Sequence, residues 1–163
     1  MNFRKIFRVI LLISRFGLAA LFLFTAGAKL WIVKAFAANV AELLGVTGLN
    51  PVRLMWPVTI VVIVTEIITA LLLLLPRTVR AGAVAAAALL IGFSGYALYY
   101  RYGLGIIEGL ECGCFGRIIG SQLGLTTALR NLALLVPTFI VFFGYRQKNH
   151  STIRNLEQAD VIA

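Results

Sequence analysis

Residues 55–75 read MWPVTIVVIVTEIITALLLLL, an apolar run of about 20 residues that is long enough to cross the roughly 30 Å hydrocarbon core of a bilayer as a helix. Glu66 is the only charged residue in it, and Pro76 and Arg77 follow its end. Further runs of similar length and character lie at residues 9–27, 81–100 and 123–143. Four such runs predict an all-α integral membrane protein, an antiparallel bundle of four spanning helices in one membrane domain, residues 1–145.

The composition agrees with that class. Hydrophobic residues make up 61% of the 163 and charged residues 13%, against roughly 45–50% and 25% in ordinary globular chains. The net charge of +9 is explained by Lys and Arg collecting at the cytoplasmic ends of helices. It does not form a basic surface interleaved with aromatic residues, so we expect membrane lipid and no nucleic acid as a partner.

The segment 28–54 is too polar to span a membrane. Val33, Phe36, Val40 and Leu43 recur at helical spacing, and Gly45 can end the helix. This pattern predicts a short amphipathic helix on the membrane surface after the first span. An ordinary connecting loop is the alternative interpretation.

The first apolar run follows three basic residues, which is also the pattern of a secretory signal peptide, and Ala26-Gly27-Ala28 imitates a cleavage site. Because Arg15 interrupts the run and the run is longer than the apolar region of a typical signal peptide, we expect a retained helix. Cleavage, the alternative, would leave the later topology unchanged.

The distribution of basic residues predicts the orientation. The N-terminus, the 77–80 turn and the tail hold eight: Arg4, Lys5, Arg8, Arg77, Arg80, Arg146, Lys148 and Arg154. The opposite side holds five: Lys29, Lys34, Arg53, Arg101 and Arg117. The excess predicts cytoplasmic termini, including a polar tail at 146–163, in a bacterial inner membrane. Residues 101–122 then face the periplasm, where disulfides form and are exchanged.

That outer segment holds the only two cysteines, Cys112 and Cys114, in the stretch ECGCFG at 111–116. Gly113 between them can adopt the bend that a disulfide between neighbours this close requires. A ring so small would be strained, and strained, exposed disulfides are the labile or catalytic ones. The spacing therefore favours thiol–disulfide exchange, with these supporting residues around the catalytic pair: Glu111, Gly113, Phe115, Gly116 and Arg117.

Three other interpretations of the cysteines stay open. They can be small buried hydrophobic residues that never oxidise. They can be two ligands of a soft metal ion, although the only histidine, His150, lies far away in the tail, so we predict no metal site within the chain. Each cysteine can also bond to a different partner chain.

Charged residues inside the spans form a second candidate site. Arg15, Glu66 and Arg130 each cost a few kcal/mol in a bilayer and are expected to face the bundle interior. By helix rise, either arginine can reach Glu66. The first interpretation of this intramembrane polar network, which includes Asn131, is a structural ion pair. The second is a proton or quinone site below the thiols.

The chain resembles the MauE/DoxX family of four-helix membrane proteins, the MauE branch most closely, over about residues 9–145. The most specific match is Cys112-Gly113-Cys114-Phe115-Gly116 between the third and fourth spans. The other matching positions are Arg15-Phe16-Gly17, Gly27-Ala28-Lys29-Leu30, Glu66 and Arg130-Asn131. A glycine that often follows the family's acid in helix two is absent here, where Thr69 and Ala70 stand.

The resemblance implies a redox-associated membrane protein. MauE-type proteins are linked to maturation of the disulfide-rich periplasmic subunit of methylamine dehydrogenase, and relatives occur beside thioredoxin-like proteins. We therefore expect a thiol–disulfide oxidoreductase that acts on a periplasmic thioredoxin-like or disulfide-rich partner, with a quinone as a candidate cofactor. The alternative is a non-catalytic subunit or assembly factor of a larger membrane complex, which would bind other membrane subunits.

Overall fold

The computed structural model describes residues 3–99, 102 and 128–145. Within this part the chain is all helical: α1 Phe3–Trp31, α2 Val33–Val46, α3 Pro51–Leu74, α4 Val79–Leu98 and α5 Ala128–Tyr145. Four of them, α1, α3, α4 and α5, are long and apolar enough to cross a membrane. The predicted class, a helical membrane bundle with one short additional helix after the first span, is confirmed.

The helices extend beyond several of the apolar runs seen in the sequence. α1 continues past residue 27 to Trp31 because the side chain of Lys29 turns into the bundle instead of ending the helix in water. α3 begins at Pro51, four residues before the apolar run, because Asn50 caps it by accepting a hydrogen bond from the Arg53 amide at 3.3 Å. Residues 123–127 of the fourth predicted span and the tail at 146–163 lie outside the described residues.

The main core lies where all four spanning helices meet. Its buried residues come from α1, α3, α4 and α5: Leu18, Ala19, Phe22, Ala70, Leu73, Val79, Ala83, Ala86, Leu90 and Val141. Small residues allow α3 and α4 to approach closely after the turn between them. A Cβ built on Gly82 would lie 2.7 Å from the Leu73 backbone nitrogen, so only glycine fits there.

The short helix α2 presents its apolar face to the protein. Phe36 and Val40 are buried and form a second cluster with Ala26 of α1 and Ile63 of α3. Lys34 lies on the exposed side of α2, as does Glu42. The predicted amphipathic helix is therefore present, the loop interpretation is wrong, and the apolar face of the helix covers α1 and α3.

Contacts between distant residues define the two ends of the bundle. At one end, called here the Arg15 end, Arg15 contacts Tyr145 of α5, and Arg80 of α4 stacks on Phe142 of α5 at 5.4 Å. At the other end, called the α2 end, α1 finishes, α2 packs and α3 begins. The last residue of α4, Leu98, and the first described residue of α5, Ala128, both belong to the α2 end.

Candidate functional site

A buried ion pair joins α1 and α3. Lys29 Nζ donates a hydrogen bond to Glu66 Oε1, and the two side chains are only 1% and 2% exposed. The Lys29 ammonium also lies 5.5 Å from the ring centre of Phe36 and 5.8 Å from that of Phe93. Isolated charges at this depth would be costly, and pairing them between aromatic rings offsets part of that cost.

The position of Lys29 follows from the buried stripe of α1. Arg15, Leu18, Phe22, Ala26 and Lys29 recur at intervals of three or four residues, and all five are buried. Sequence reasoning placed Lys29 among the basic residues outside the membrane and overlooked it as a partner of Glu66. The signal that could have revealed it is this spacing, because Lys29 continues the stripe that begins with Arg15.

Arg15 has a different role from the one expected of it. Its guanidinium donates to the Leu73 carbonyl oxygen at 2.7 Å, to that of Leu74 at 2.5 Å and to the Tyr145 hydroxyl at 2.8 Å. The last carbonyl groups of a helix have no partner within the helix. Arg15 therefore caps the C-terminus of α3 and ties it to α5, and the partner of Glu66 is Lys29.

Helix register brings the α5 residues to the height of the ion pair. Lys29 lies 14 residues beyond Arg15 on α1, and Asn131 lies 14 residues before Tyr145 on α5. Since Arg15 contacts Tyr145, both residues stand about 21 Å from the Arg15 end at 1.5 Å per residue. Asn131 is 3% exposed and therefore faces the bundle interior.

All four spanning helices carry buried polar side chains between the height of Glu66 and that of Thr59, which lies seven residues, or about 10 Å, earlier on α3. We call them the polar layer: Thr25, Lys29, Thr59, Glu66, Ser94 and Asn131. The Thr25 hydroxyl donates to the Phe22 carbonyl at 3.0 Å and also lies beside the Glu66 carboxyl. The Ser94 hydroxyl donates to the Leu90 carbonyl at 2.7 Å. Arg130, the neighbour of Asn131, is only partly buried.

Three atoms of the polar layer have no hydrogen-bond partner among the described residues. They are the Thr59 hydroxyl oxygen, Glu66 Oε2 and the Asn131 side-chain nitrogen, all of them buried. Together they comprise an acceptor, a donor and a hydroxyl that can act as either. Buried polar groups in native proteins are nearly always satisfied, so these three atoms are exceptions among the described residues.

The cysteine pair lies outside the described residues, and so do its predicted supporting residues Glu111, Gly113, Phe115, Gly116 and Arg117. In the described ranges, no three His, Cys, Asp or Glu side chains cluster closely enough to hold a metal ion. The structure thus brings together Glu66 and the overlooked Lys29, and it gives Arg15 other partners at the end of α3 and on α5.

The fold and the buried ion pair define a multi-pass helical membrane protein with charged groups held inside the bundle. The family model described as "Methylamine utilisation protein MauE" matches residues 7–144, so the chain belongs to the MauE family. The resemblance inferred from the sequence is confirmed. No curated protein and no solved structure matches the chain.

Proposed function

We propose that this MauE-family protein is a membrane-embedded thiol–disulfide redox protein. It exchanges disulfides with periplasmic partner proteins through Cys112 and Cys114 and so supports the maturation of a disulfide-rich partner. The observation that carries the proposal is the position of the helix ends beside the cysteine segment. Leu98 and Ala128 both lie at the α2 end, opposite the basic residues of the Arg15 end.

The charge distribution supports an outward-facing α2 end. The Arg15 end carries exposed Lys5, Arg8, Arg77 and Arg80. Lys29 is buried in its ion pair, so it no longer counts toward the outer side, and the ratio of basic residues moves from eight against five to eight against four. The stronger excess favours the Arg15 end in the cytoplasm and the α2 end in the periplasm of the bacterial inner membrane.

Aromatic residues at the α2 end support the same placement. Trp31 at the end of α1 is 91% exposed, and Trp56 near the start of α3 is 44% exposed. Tyr99 and Tyr102, which follow α4, are also exposed. Tryptophan and tyrosine collect where a bilayer meets water, which supports a position of the α2 end close to that boundary.

The exchange step conserves electrons and protons. A thiolate of the partner attacks one sulfur of the Cys112–Cys114 disulfide and forms a mixed disulfide, releasing the other cysteine as a thiolate. The second partner thiolate then attacks the partner sulfur of the mixed disulfide. The partner gains a disulfide, and the pair takes up two electrons and, with two protons, becomes a dithiol.

Trapping of mixed disulfides tests the proposal. Cells that produce Cys112→Ser or Cys114→Ser are quenched with acid and alkylated, and the protein is purified without reductant. At least one of these variants should retain a covalently bound partner that reductant releases. The remaining thiolate can attack a disulfide of the partner, which is the reverse of the step above, and no second cysteine is left to resolve the mixed disulfide. The double variant, which has no thiol, is the matched control. Identical adducts in all three variants, or none in any, would reject the exchange.

A second candidate function is that of a non-catalytic subunit of a larger membrane complex. Gly92 and Gly95 lie on the exposed side of α4, and a Cβ built on either would meet no atom within 4 Å. Such small residues let a helix of another protein approach closely. Co-purification with the same membrane proteins from cells with wild-type and cysteine-free chains would favour this function.

A further inference from the structure

The Arg15 end of the bundle carries positive charge that no acidic side chain of the described residues neutralises. Its five basic side chains are the buried Arg15 and the exposed Lys5, Arg8, Arg77 and Arg80. The acidic residues in the ranges 3–99 and 128–145 are Glu42, on α2, and Glu66, which is paired with Lys29. Neither of them lies at the Arg15 end, so the described part of this end holds basic residues alone.

The guanidinium group of Arg15 has hydrogen-bond acceptors but no counterion among the described residues. Its acceptors are the carbonyl oxygens of Leu73 and Leu74 and the hydroxyl oxygen of Tyr145, and all three are uncharged. Arg15 is only 7% exposed, and a buried charge is screened by salt much less than an exposed one. Arg77 follows Leu74 by three residues, so the field of Arg15 adds to that of Arg77 and attracts an anion to this end.

The turn between α3 and α4 determines the depth of two exposed arginines. Both helices are long and apolar enough to span the membrane, so the turn that joins them lies at a membrane face. Arg77 lies in this turn, and Arg80 follows it in the first turn of α4. Three residues span at most about 11 Å. Two exposed guanidinium groups therefore lie close together at the level of the lipid head groups.

An aromatic ring of the neighbouring helix holds Arg80 in position. The guanidinium carbon of Arg80 lies 5.4 Å from the ring centre of Phe142 on α5, which is a cation–π contact. Deeper in the bilayer, Val84 is exposed one helical turn after Arg80 on α4. On α5, the rings of Phe139 and Phe143 stack at 6.4 Å and are 49% and 55% exposed. A basic group is thus followed by apolar surface toward the membrane interior, the same order as head group and acyl chain in a phospholipid.

We propose that Arg77 and Arg80, the second of them positioned by Phe142, bind the phosphate groups of an anionic phospholipid. Guanidinium groups bind phosphate oxygens through paired, charge-assisted hydrogen bonds. Basic surfaces between spanning helices bind lipids with negatively charged head groups. A zwitterionic lipid carries an ammonium group that the unbalanced positive charge of this end repels, so the site selects the anionic lipid. The inference is independent of the proposed exchange function.

Competition between two lipids tests the site. The full-length protein in detergent micelles receives cardiolipin and phosphatidylcholine at equal concentrations, and native mass spectrometry measures the ratio of the two bound lipids. Arg77→Gln and Arg80→Gln each remove one charge of the site. Phe142→Leu keeps every charge and removes the ring that holds Arg80. Arg53→Gln is the matched control, because Arg53 is an exposed arginine at the α2 end. Circular dichroism confirms that each variant is folded.

We expect the wild type to bind cardiolipin in preference to phosphatidylcholine. Arg77→Gln and Arg80→Gln should each lower this preference about 5-fold, the contribution of one basic residue to the attraction of anionic lipid. Phe142→Leu should lower it about 2- to 5-fold, the effect of losing one cation–π contact at an exposed site. Arg53→Gln should bind both lipids like the wild type.

Three results would overturn the proposal. Wild-type preference in Arg80→Gln or in Phe142→Leu would show that the lipid does not bind at this arginine. A loss in Arg53→Gln as large as that in Arg80→Gln would show that binding follows the overall charge of the protein. No preference in the wild type, with a preference for cardiolipin appearing when Glu157→Gln is combined with Asp160→Asn, would assign the arginines to the acidic residues of the chain's own tail.

Discussion

Lys29 of α1 and Glu66 of α3 form an ion pair that is buried inside the helix bundle, with the two side chains only 1% and 2% exposed. Lys29 is only two residues from the end of α1, yet its side chain turns away from the nearby water. A lysine at such a position usually extends toward the interface. Its inward direction therefore reflects a specific attraction to Glu66 and the aromatic rings of Phe36 and Phe93.

Replacing one member of the pair by an apolar residue should lower the free energy of unfolding more than replacing both members. Glu66→Leu leaves the Lys29 ammonium buried without its carboxylate, and we expect a loss of about 3–5 kcal/mol in the free energy of unfolding. Lys29→Met combined with Glu66→Leu should recover most of that loss, because two apolar side chains of similar size need no compensation. Unfolding by SDS in mixed micelles, followed by circular dichroism, measures both values. A double variant as unstable as Glu66→Leu would show that the charges stabilise the fold beyond their mutual pairing.

Arg15 should stabilise the protein by capping the C-terminal end of α3. Arg15→Met removes three hydrogen bonds from a charged donor, two to the last carbonyl groups of α3 and one to Tyr145. We expect a loss of about 3 kcal/mol, since each hydrogen bond to a charged group contributes about 1.5–3 kcal/mol and the carbonyl groups can partly turn to water. Tyr145→Phe removes one of the three and should cost about 1 kcal/mol. Equal losses in the two variants would contradict a capping role for Arg15.

The class of fold was predictable because it depends on long apolar runs, which a single sequence displays directly. The short helix α2 was predictable from the spacing of Phe36 and Val40, whose side chains are indeed buried. Its docking on α1 and α3 was not, because an apolar stripe is the same whether lipid or protein covers it. The two surroundings are distinguished by the packing of α2 against α1 and α3 in the structure.

The partner of Glu66 could not be identified by asking which basic residues lie deepest inside the apolar runs of the sequence. Arg15 and Arg130 lie inside the apolar runs, whereas Lys29 lies beyond the run that ends at residue 27. A lysine side chain is about as long as one helical turn, and side chains on a helix point back toward its N-terminus. Both effects carry the Lys29 ammonium toward Glu66. The buried stripe shared by Arg15 and Lys29 was a better guide than the distance from the membrane surface.

The close contact between α3 and α4 leads to a prediction about two glycines of the same helix. In Gly82→Ala the new Cβ would lie 2.7 Å from the Leu73 backbone nitrogen, so the helices must separate. We expect a loss of about 1–3 kcal/mol in the free energy of unfolding, as for other overpacked sites. Gly92→Ala is the matched control. Its Cβ meets no atom within 4 Å, and the higher helix propensity of alanine should stabilise the protein by up to about 1 kcal/mol. If both variants are stabilised to the same extent, the helices do not pack through Gly82.

The orientation of the bundle can be tested with two exposed positions at opposite ends. Glu42 lies on the outer side of α2, and Pro76 lies in the turn between α3 and α4 at the Arg15 end. Each is replaced by cysteine in a chain whose two natural cysteines are serine, so that one thiol is present. The excess of basic residues at the Arg15 end predicts that this end is cytoplasmic. A thiol reagent that cannot cross the inner membrane should therefore label Glu42→Cys in spheroplasts and label Pro76→Cys only after the membrane has been permeabilised. The opposite pattern would put the ends of α4 and α5 that flank the cysteine segment in the cytosol, where thiols are kept reduced, and would contradict disulfide exchange with a periplasmic partner.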